Sequence, residues 1–404
     1  MATAADSAEG MRVATWIAPI NIAVIKYWGK RDEALMLPAN GSLSVTIDMS
    51  KMRAKTTALT GPNIAEDRLW LNGKETRAGD PGWARFQRCV DHLRVRAGQG
   101  NAHVHVCSEN SFPTGAGVAS SAAGYACLAM AVADALGLDP TRENVSAAAR
   151  LGSGSACRSV FGGFVIWERG EDGADRADSS IARQLFTEEH WPELRMVFLF
   201  VDERKKKVGS TDGMRRSMET STLMKARLES IPEKLVRMED AIRRKDFAAF
   251  AEIAMKDSSQ MHAVCLDSYP PLVYLRDTSH AVMALVAALN KACGRTVAGY
   301  TFDAGPNPVL FAQAPDLPLL LAALKRFFPV PPAAKEIFEG DGVSTAMSAD
   351  LEAEIKAELD FDVWSGSSFS RVLLAEPGTG PQKLKDDDGN YEGLLDVKTG
   401  LPNK

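Results

Sequence analysis

The stretch Pro113-Thr114-Gly115-Ala116-Gly117-Val118-Ala119-Ser120-Ser121-Ala122-Ala123-Gly124 puts almost nothing but small residues between two patterned segments. Before it, Ala102–Cys107 alternates Val104 and Val106 with His103 and His105, as a strand does. After it, Ser120–Leu138 reads as one alanine-rich helix, ended by Gly137 and Pro140. A small-residue turn from strand to helix lets the main chain approach a ligand closely. The N–H groups of the first helical turn lack intrahelical partners, and with the helix dipole they favour an anion. Ser120 and Ser121 add hydroxyls suited to phosphate oxygens or Mg2+. The turn has neither the Gly-Lys-Ser/Thr ending of a Walker A loop nor the GxGxxG spacing. Close packing of helix on strand is the competing reading of the same residues.

Three other places carry candidate chemistry. Gly152-Ser153-Gly154-Ser155-Ala156-Cys157-Arg158-Ser159 sets hydroxyls among glycines and closes with a guanidinium, whose planar donor fork suits a carboxylate or phosphate. A serine-rich loop whose arginine pairs with a surface acid is the alternative. Tyr300–Asn307 places Asp303 at the end of an apolar strand before a tight turn, where a carboxylate can be catalytic or can cap the turn. Ala18–Arg31 ends in Lys26-Tyr27-Trp28-Gly29-Lys30-Arg31, three cations and two aromatics that suit an anionic substrate or a solvated face. Arg204-Lys205-Lys206-Lys207 reads as a solvated run, with phosphate steering the sharper alternative.

At 404 residues the chain suggests two or three domains. Its formal charge of −5 argues against a nucleic-acid partner. The six cysteines are scattered without a CxxC pair and read as buried free thiols of a reducing compartment. MATAADSAEG at the start lacks the basic and apolar regions of a secretory signal. No apolar run reaches the ~18 residues of a membrane span, so a cytoplasmic protein is expected.

Strands are predicted at Arg12–Pro19, Ser42–Met49, Met52–Thr60, Asp67–Leu71, Gly162–Trp167, Arg195–Val201, Val297–Phe302, Val309–Gln313 and Ser370–Leu374, with a hairpin turn at Asn72-Gly73. Pro232–Cys265 and Pro271–Cys293 are predicted helices opening at proline, and Leu317–Phe328 a third. Glu168–Glu189 is expected to be an exposed excursion and Gly378–Lys404 to be loosely held. His103 and His105 share a strand face, but two imidazoles are too few for a metal site.

At the four places above, the chain resembles the GHMP kinase superfamily, and within it the eukaryotic diphosphomevalonate decarboxylases. Pro113–Ala122 is similar to the superfamily's P-x-x-x-G-L-G-S-S-A, with Val118 and Ala119 replacing Leu and Gly. NIAVIKYWGKRD, SGSACRS, MKDSSQMHAVCLDSYPP and YTFDAGPN are the more specific marks, and the likeness runs from about Ala18 to the end. It implies a two-domain α+β fold, with a ribosomal-protein-like α/β domain at 1–194 and a ferredoxin-like domain at 195–404.

The resemblance also implies a reaction: ATP-dependent decarboxylation of (R)-5-diphosphomevalonate to isopentenyl diphosphate, by way of phosphorylation at C3. On it, Asp303 orients or accepts the proton of the C3 hydroxyl, Lys26 lies beside it, and Arg158 with Asn21 holds the substrate carboxylate. Tyr27, Lys30, Ser153 and Ser155 grip the diphosphate, Trp28, Gly29, Gly154, Ala156 and Cys157 also bind substrate, and Arg85 and Thr211 are further contacts. Gly115, Gly117, Ala119, Ser120 and Ser121 cradle ATP, which Mg2+ accompanies, and the chain forms a homodimer. A kinase that stops after phosphoryl transfer has no need of Arg158, and an RNA-binding use of the same fold conflicts with the net charge.

Overall fold

The computed structural model describes residues 10–80, 82–112, 120–173, 179–202, 204, 206–339, 343, 345–366, 369–384 and 392–403. Pro113–Ala119, and with them Gly115, Gly117 and Ala119, lie outside the described residues.

Among the described residues, three larger sheets carry the fold, beside a two-stranded one formed by Lys30–Asp32 and Leu37–Pro38. The first runs in the order Gln382–Lys383, Arg12–Pro19, Arg53–Thr60, Val104–Asn110, Arg68–Leu71, Lys74–Thr76. It is antiparallel except where Arg68–Leu71 lies parallel to Val104–Asn110. The second orders Ala182–Phe186, Phe164–Trp167, Ser42–Thr46 and Asn21–Ile25, and the third Ala298–Phe302, Pro308–Gln313, Leu194–Phe200 and Arg371–Ala375. Asn72 and Gly73 both take positive φ, 48° and 76°, as a two-residue hairpin turn requires.

The helix Ser120–Ala135 lies on the strands Arg12–Pro19 and Arg53–Thr60, and its alanines are buried on every side, so short side chains let helix and sheet approach closely. One apolar core passes from this sheet through Phe164 and Trp191 to Ile231, Met238, Phe247 and Phe250, joining the first half to helices of the second. The resulting crevice between the halves is where the candidate residues meet.

Several expectations need correction. A helix begins at Leu223, not Pro232, and runs to Arg244 with the proline inside it; burial of Arg227, Ile231 and Met238 on either side outweighs the missing N–H bond. It stops at Lys245 (φ 56°), where Asp246 caps a second helix, Phe247–Asp267, by accepting from the Ala249 N–H. Pro271–Arg276 is irregular and the next helix starts only at Asp277. Glu168–Glu189 is no mere excursion, since Ala182–Phe186 pairs with Phe164–Trp167 as an edge strand. The tail is partly docked: Gln382–Lys383 pairs with the first strand, Leu395 is fully buried, and His105 Nδ1 donates to the Gly400 carbonyl at 2.8 Å. The six cysteines are free, five of them buried.

Candidate active site

The four candidate segments converge on one cavity of about 370 Å³. Its walls include Asn21, Lys26, Tyr27, Trp28, Lys30, Arg85, Ser120, Ser121, Ser153, Gly154, Ser155, Arg158, Thr211 and Asp303.

Lys26 follows the strand Asn21–Ile25, whose register against Ser42–Thr46 shifts between Ala23 and Ile25. Its Nζ donates to Asp303 Oδ1 at 2.6 Å, with side-chain exposures of 3% and 27%. Desolvation lowers the Lys26 pKa, opposed by the charge and hydrogen bond of Asp303. Among the described residues the Asp303 side chain bonds to Lys26 and makes no bond to its own turn. Asn307, at the end of that turn, ties it to the chain after the strand Leu194–Phe200, accepting from the N–H groups of Val201 and Asp202 at 2.8 and 3.0 Å. The Asp303 carboxylate faces Lys26 and the cavity.

Arg158 is 2% exposed, and no carboxylate of the described residues pairs with it. Its Nε donates to Ser44 Oγ at 3.0 Å, Nη1 to Ser42 Oγ, and Nη2 to Asn21 Oδ1 at 3.2 Å. Asn21 is itself fixed by donating to Ser159 Oγ at 2.7 Å. Neutral acceptors thus orient a buried guanidinium without cancelling its charge. The sequence alternative, pairing with a surface acid, is not what forms.

Towards the rim, Tyr27 packs edge-on against Trp167 with centroids 4.7 Å apart, and its buried hydroxyl has no hydrogen-bond partner among the described residues. A Cβ on Gly154 would fall 2.9 Å from that oxygen, so the glycine keeps the approach to Tyr27 open. Ser121 Oγ lies 3.1 Å from Ser153 Oγ, which joins the start of the alanine helix to the Gly152–Ser159 loop. Burial lowers the Lys30 pKa, and the like charges of Arg85, Arg88 and Arg215 lower it further.

Gly29, Ala156 and Cys157 are not on the cavity wall. A Cβ on Gly29 would strike Met218 and Met224, at 2.7 and 2.8 Å, so its φ of 98° and its lack of side chain serve packing. Ala156 and Cys157 are buried behind the loop. The wall also holds Ala23, Met36, Gly209, Ser210, Met214, Met261 and Ala304, to which the sequence assigned no role, and Lys206, read there as part of a solvated run with phosphate steering as the alternative. Lys206 is no solvated residue: its Nζ donates to the Ala304 carbonyl at 2.8 Å and to Ser210 Oγ at 3.0 Å, and desolvation lowers its pKa. Of the described cations in that run, Arg204 and Lys207 are exposed and Lys206 turns inward, a distinction made by the fold.

His262 packs edge-on to Phe302 at 6.2 Å, behind Asp303, and burial, then the Lys26 charge, push its pKa from 6.5 to about 4. Between those values the unfolded chain binds a proton that the folded chain refuses, so stability falls as pH drops through that window. Compared with a His262→Gln variant, the native chain should lose about 2 kcal/mol more between pH 7 and pH 5. Urea unfolding at both pH values measures this, and equal losses would contradict it.

Among the described residues the cavity wall carries five cations, Lys26, Lys30, Arg85, Arg158 and Lys206, against one carboxylate, Asp303. In a chain of net charge −5, such a concentration is a site for a polyanion. Residues 18–181 match the model of the diphosphomevalonate decarboxylase-like N-terminal domain, and residues 196–384 that of the mevalonate 5-diphosphate decarboxylase C-terminal domain. The diphosphomevalonate decarboxylase of Rattus norvegicus is 45% identical over 96% of this chain and 97% of its own. The chain belongs to the diphosphomevalonate decarboxylase family. The fold agrees: the mevalonate diphosphate decarboxylase from Trypanosoma brucei superposes with a TM-score of 0.81 at 39% identity, covering 93% of this chain and 99% of that one. The structure of MDDEF in complex with MVAPP, AMPPCP and magnesium matches at TM-score 0.72 and 31% identity, over 93% and 99% of the two chains. This member of the decarboxylase family thus has the two-domain α+β architecture of the GHMP kinases. Among the described residues, no helix is long and apolar enough to cross a membrane.

Proposed function

We propose that this cavity converts (R)-5-diphosphomevalonate to isopentenyl diphosphate, CO2, ADP and phosphate, with the roles its residues can fill from where they stand. The reading rests above all on Arg158, a buried guanidinium oriented by neutral acceptors beside a lone carboxylate, Asp303. Bound ATP supplies the γ-phosphoryl group that turns the C3 oxygen into a leaving group.

Asp303 orients the C3 hydroxyl and takes up its proton, while Lys26 balances the carboxylate and adds positive charge beside the oxygen. Transfers of this kind depend on in-line placement and on charge stabilisation more than on a strong base. Arg158 holds the substrate carboxylate in place until the C–C bond breaks. The electron pair of that bond then closes the alkene as phosphate departs from C3 with the C–O pair, so CO2 leaves neutral and the negative charge of the carboxylate departs on the phosphate.

Tyr27, Lys30, Arg85, Ser153, Ser155 and Thr211 grip the diphosphate, with Trp28 and Gly154 shaping that wall. Ser120 and Ser121, at the N-terminus of a 16-residue helix opening on the cavity, are suited to ATP phosphates, with Lys206 close by; Mg2+ comes with the nucleotide. The division of the chain at 194/195, a homodimer and a cytoplasmic location belong to the same proposal; sedimentation velocity and imaging of a tagged chain test the last two.

The decisive experiment supplies ATP and carboxyl-labelled diphosphomevalonate and collects labelled CO2. Phosphorylated substrate accumulating without CO2 would point instead to a kinase. Tyr27→Phe is expected to weaken substrate binding about tenfold without lowering the melting temperature, since the hydroxyl it removes has no partner among the described residues. Titration calorimetry and a thermal melt measure the two effects.

A further inference from the structure

Behind the cavity, and not part of its wall, lies a fully buried ion pair. Arg227, from the helix Leu223–Arg244, and Asp257, from Phe247–Asp267, both have side chains at 0% exposure. Arg227 Nη1 lies 3.0 Å from Asp257 Oδ1 and Nη2 3.1 Å from Oδ2, and Lys234 Nζ joins Oδ1 at 3.1 Å. As a stabilising device such a pair is poor, because desolvating two charges costs about as much as their attraction returns, and apolar residues of similar volume often do as well.

What an apolar pair lacks is a donor and an acceptor for one residue's main chain. Asp257 Oδ2 accepts the Lys26 N–H at 2.7 Å, and Arg227 Nη2 donates to the Lys26 carbonyl at 2.9 Å, where Asn40 Nδ2 also donates at 3.0 Å. Lys26 has just left its strand at a break in register, so these bonds stand in for a sheet ladder. The next residue on the same helix, Ser258, accepts the N–H of Phe302 at 2.9 Å, immediately before Asp303.

We infer that Arg227 and Asp257 are positioning residues for the decarboxylation: with Ser258 they fix the main chain behind Lys26 and Asp303, and so set the contact between those two side chains. Lys26 comes from the N-terminal half and Asp303 from the C-terminal one, so the clamp aligns a pair that neither half contains alone. The inference rests on the proposal that Lys26 and Asp303 lie at the reacting centre.

The test is a mutant cycle read as kcat and KM for diphosphomevalonate and ATP. It compares Arg227→Met/Asp257→Leu, Lys26→Ala and the combined variant, with a thermal melt to confirm folding. The apolar pair should lower kcat about 100-fold and leave both KM values within about threefold. In the Lys26→Ala background the same replacement should cost less than about threefold more, because its effect passes through Lys26. Losses that simply add, a change confined to KM, or undiminished kcat would each overturn the inference. If the apolar pair does not fold, Asp257→Asn, which keeps an acceptor for the Lys26 N–H, enters the same cycle with a loss of about tenfold and the same criterion of non-additivity. Wild-type turnover in Lys26→Ala alone would instead remove Lys26 from the reacting centre, a result distinct from additive losses.

Discussion

Replacing Asp303 by asparagine is expected to abolish turnover, lowering kcat by at least about 1,000-fold, while the substrate dissociation constant stays within about tenfold. Asparagine fills nearly the same volume and keeps one oxygen for Lys26, so the cavity's shape should survive. What disappears is the acceptor for the hydroxyl proton and the single negative charge that the described residues set among the cavity's cations. Lys26, 3% exposed, then loses the partner that most opposes its desolvation, which drives its pKa lower still. Steady-state kinetics and calorimetry with diphosphomevalonate separate the two effects. Turnover close to the native rate would remove Asp303 from the chemistry.

Arg158→Ala is expected to weaken diphosphomevalonate binding about 100-fold, about 3 kcal/mol, and to slow the reaction, with ATP affinity at saturating substrate changed less than about threefold. The asymmetry follows from position. The guanidinium is enclosed by Ser42, Ser44 and Asn21, whereas the proposed nucleotide donors lie on the helix start at Ser120 and Ser121. Truncation leaves three neutral groups facing the substrate carboxylate with no positive charge. Equal losses for both ligands would show a general collapse of the cavity rather than loss of one recognition element.

The correspondence between local sequence and local structure is close where a single period rules. Arg12–Pro19 forms at both of its expected ends, and Phe164–Trp167 lies within the expected Gly162–Trp167, because continuous burial of β-branched and aromatic residues leaves few alternatives. It fails where two local signals compete. Pro232 resembles a helix start, yet packing on either side carries the helix through it. The helix Ser210–Thr220, whose first residues line the cavity, went unread because its polar, threonine- and serine-bearing opening has the composition of a loop. The docked end of the tail, with Leu395 fully buried, carries too few apolar residues to show a period.

The sequence by itself determined which residue types were present for the chemistry: an arginine after a glycine-serine loop, an aspartate at a strand end, a lysine followed by aromatics, serines opening an alanine helix. Those are short-range patterns, written in consecutive residues. Only the tertiary structure decided that Arg158 has neutral neighbours, that Lys206 turns inward from a charged run, and that Lys26 is held from behind by Arg227 and Asp257. Each of these depends on contacts between residues about 100 or more positions apart, which packing of the two halves creates and no local period encodes.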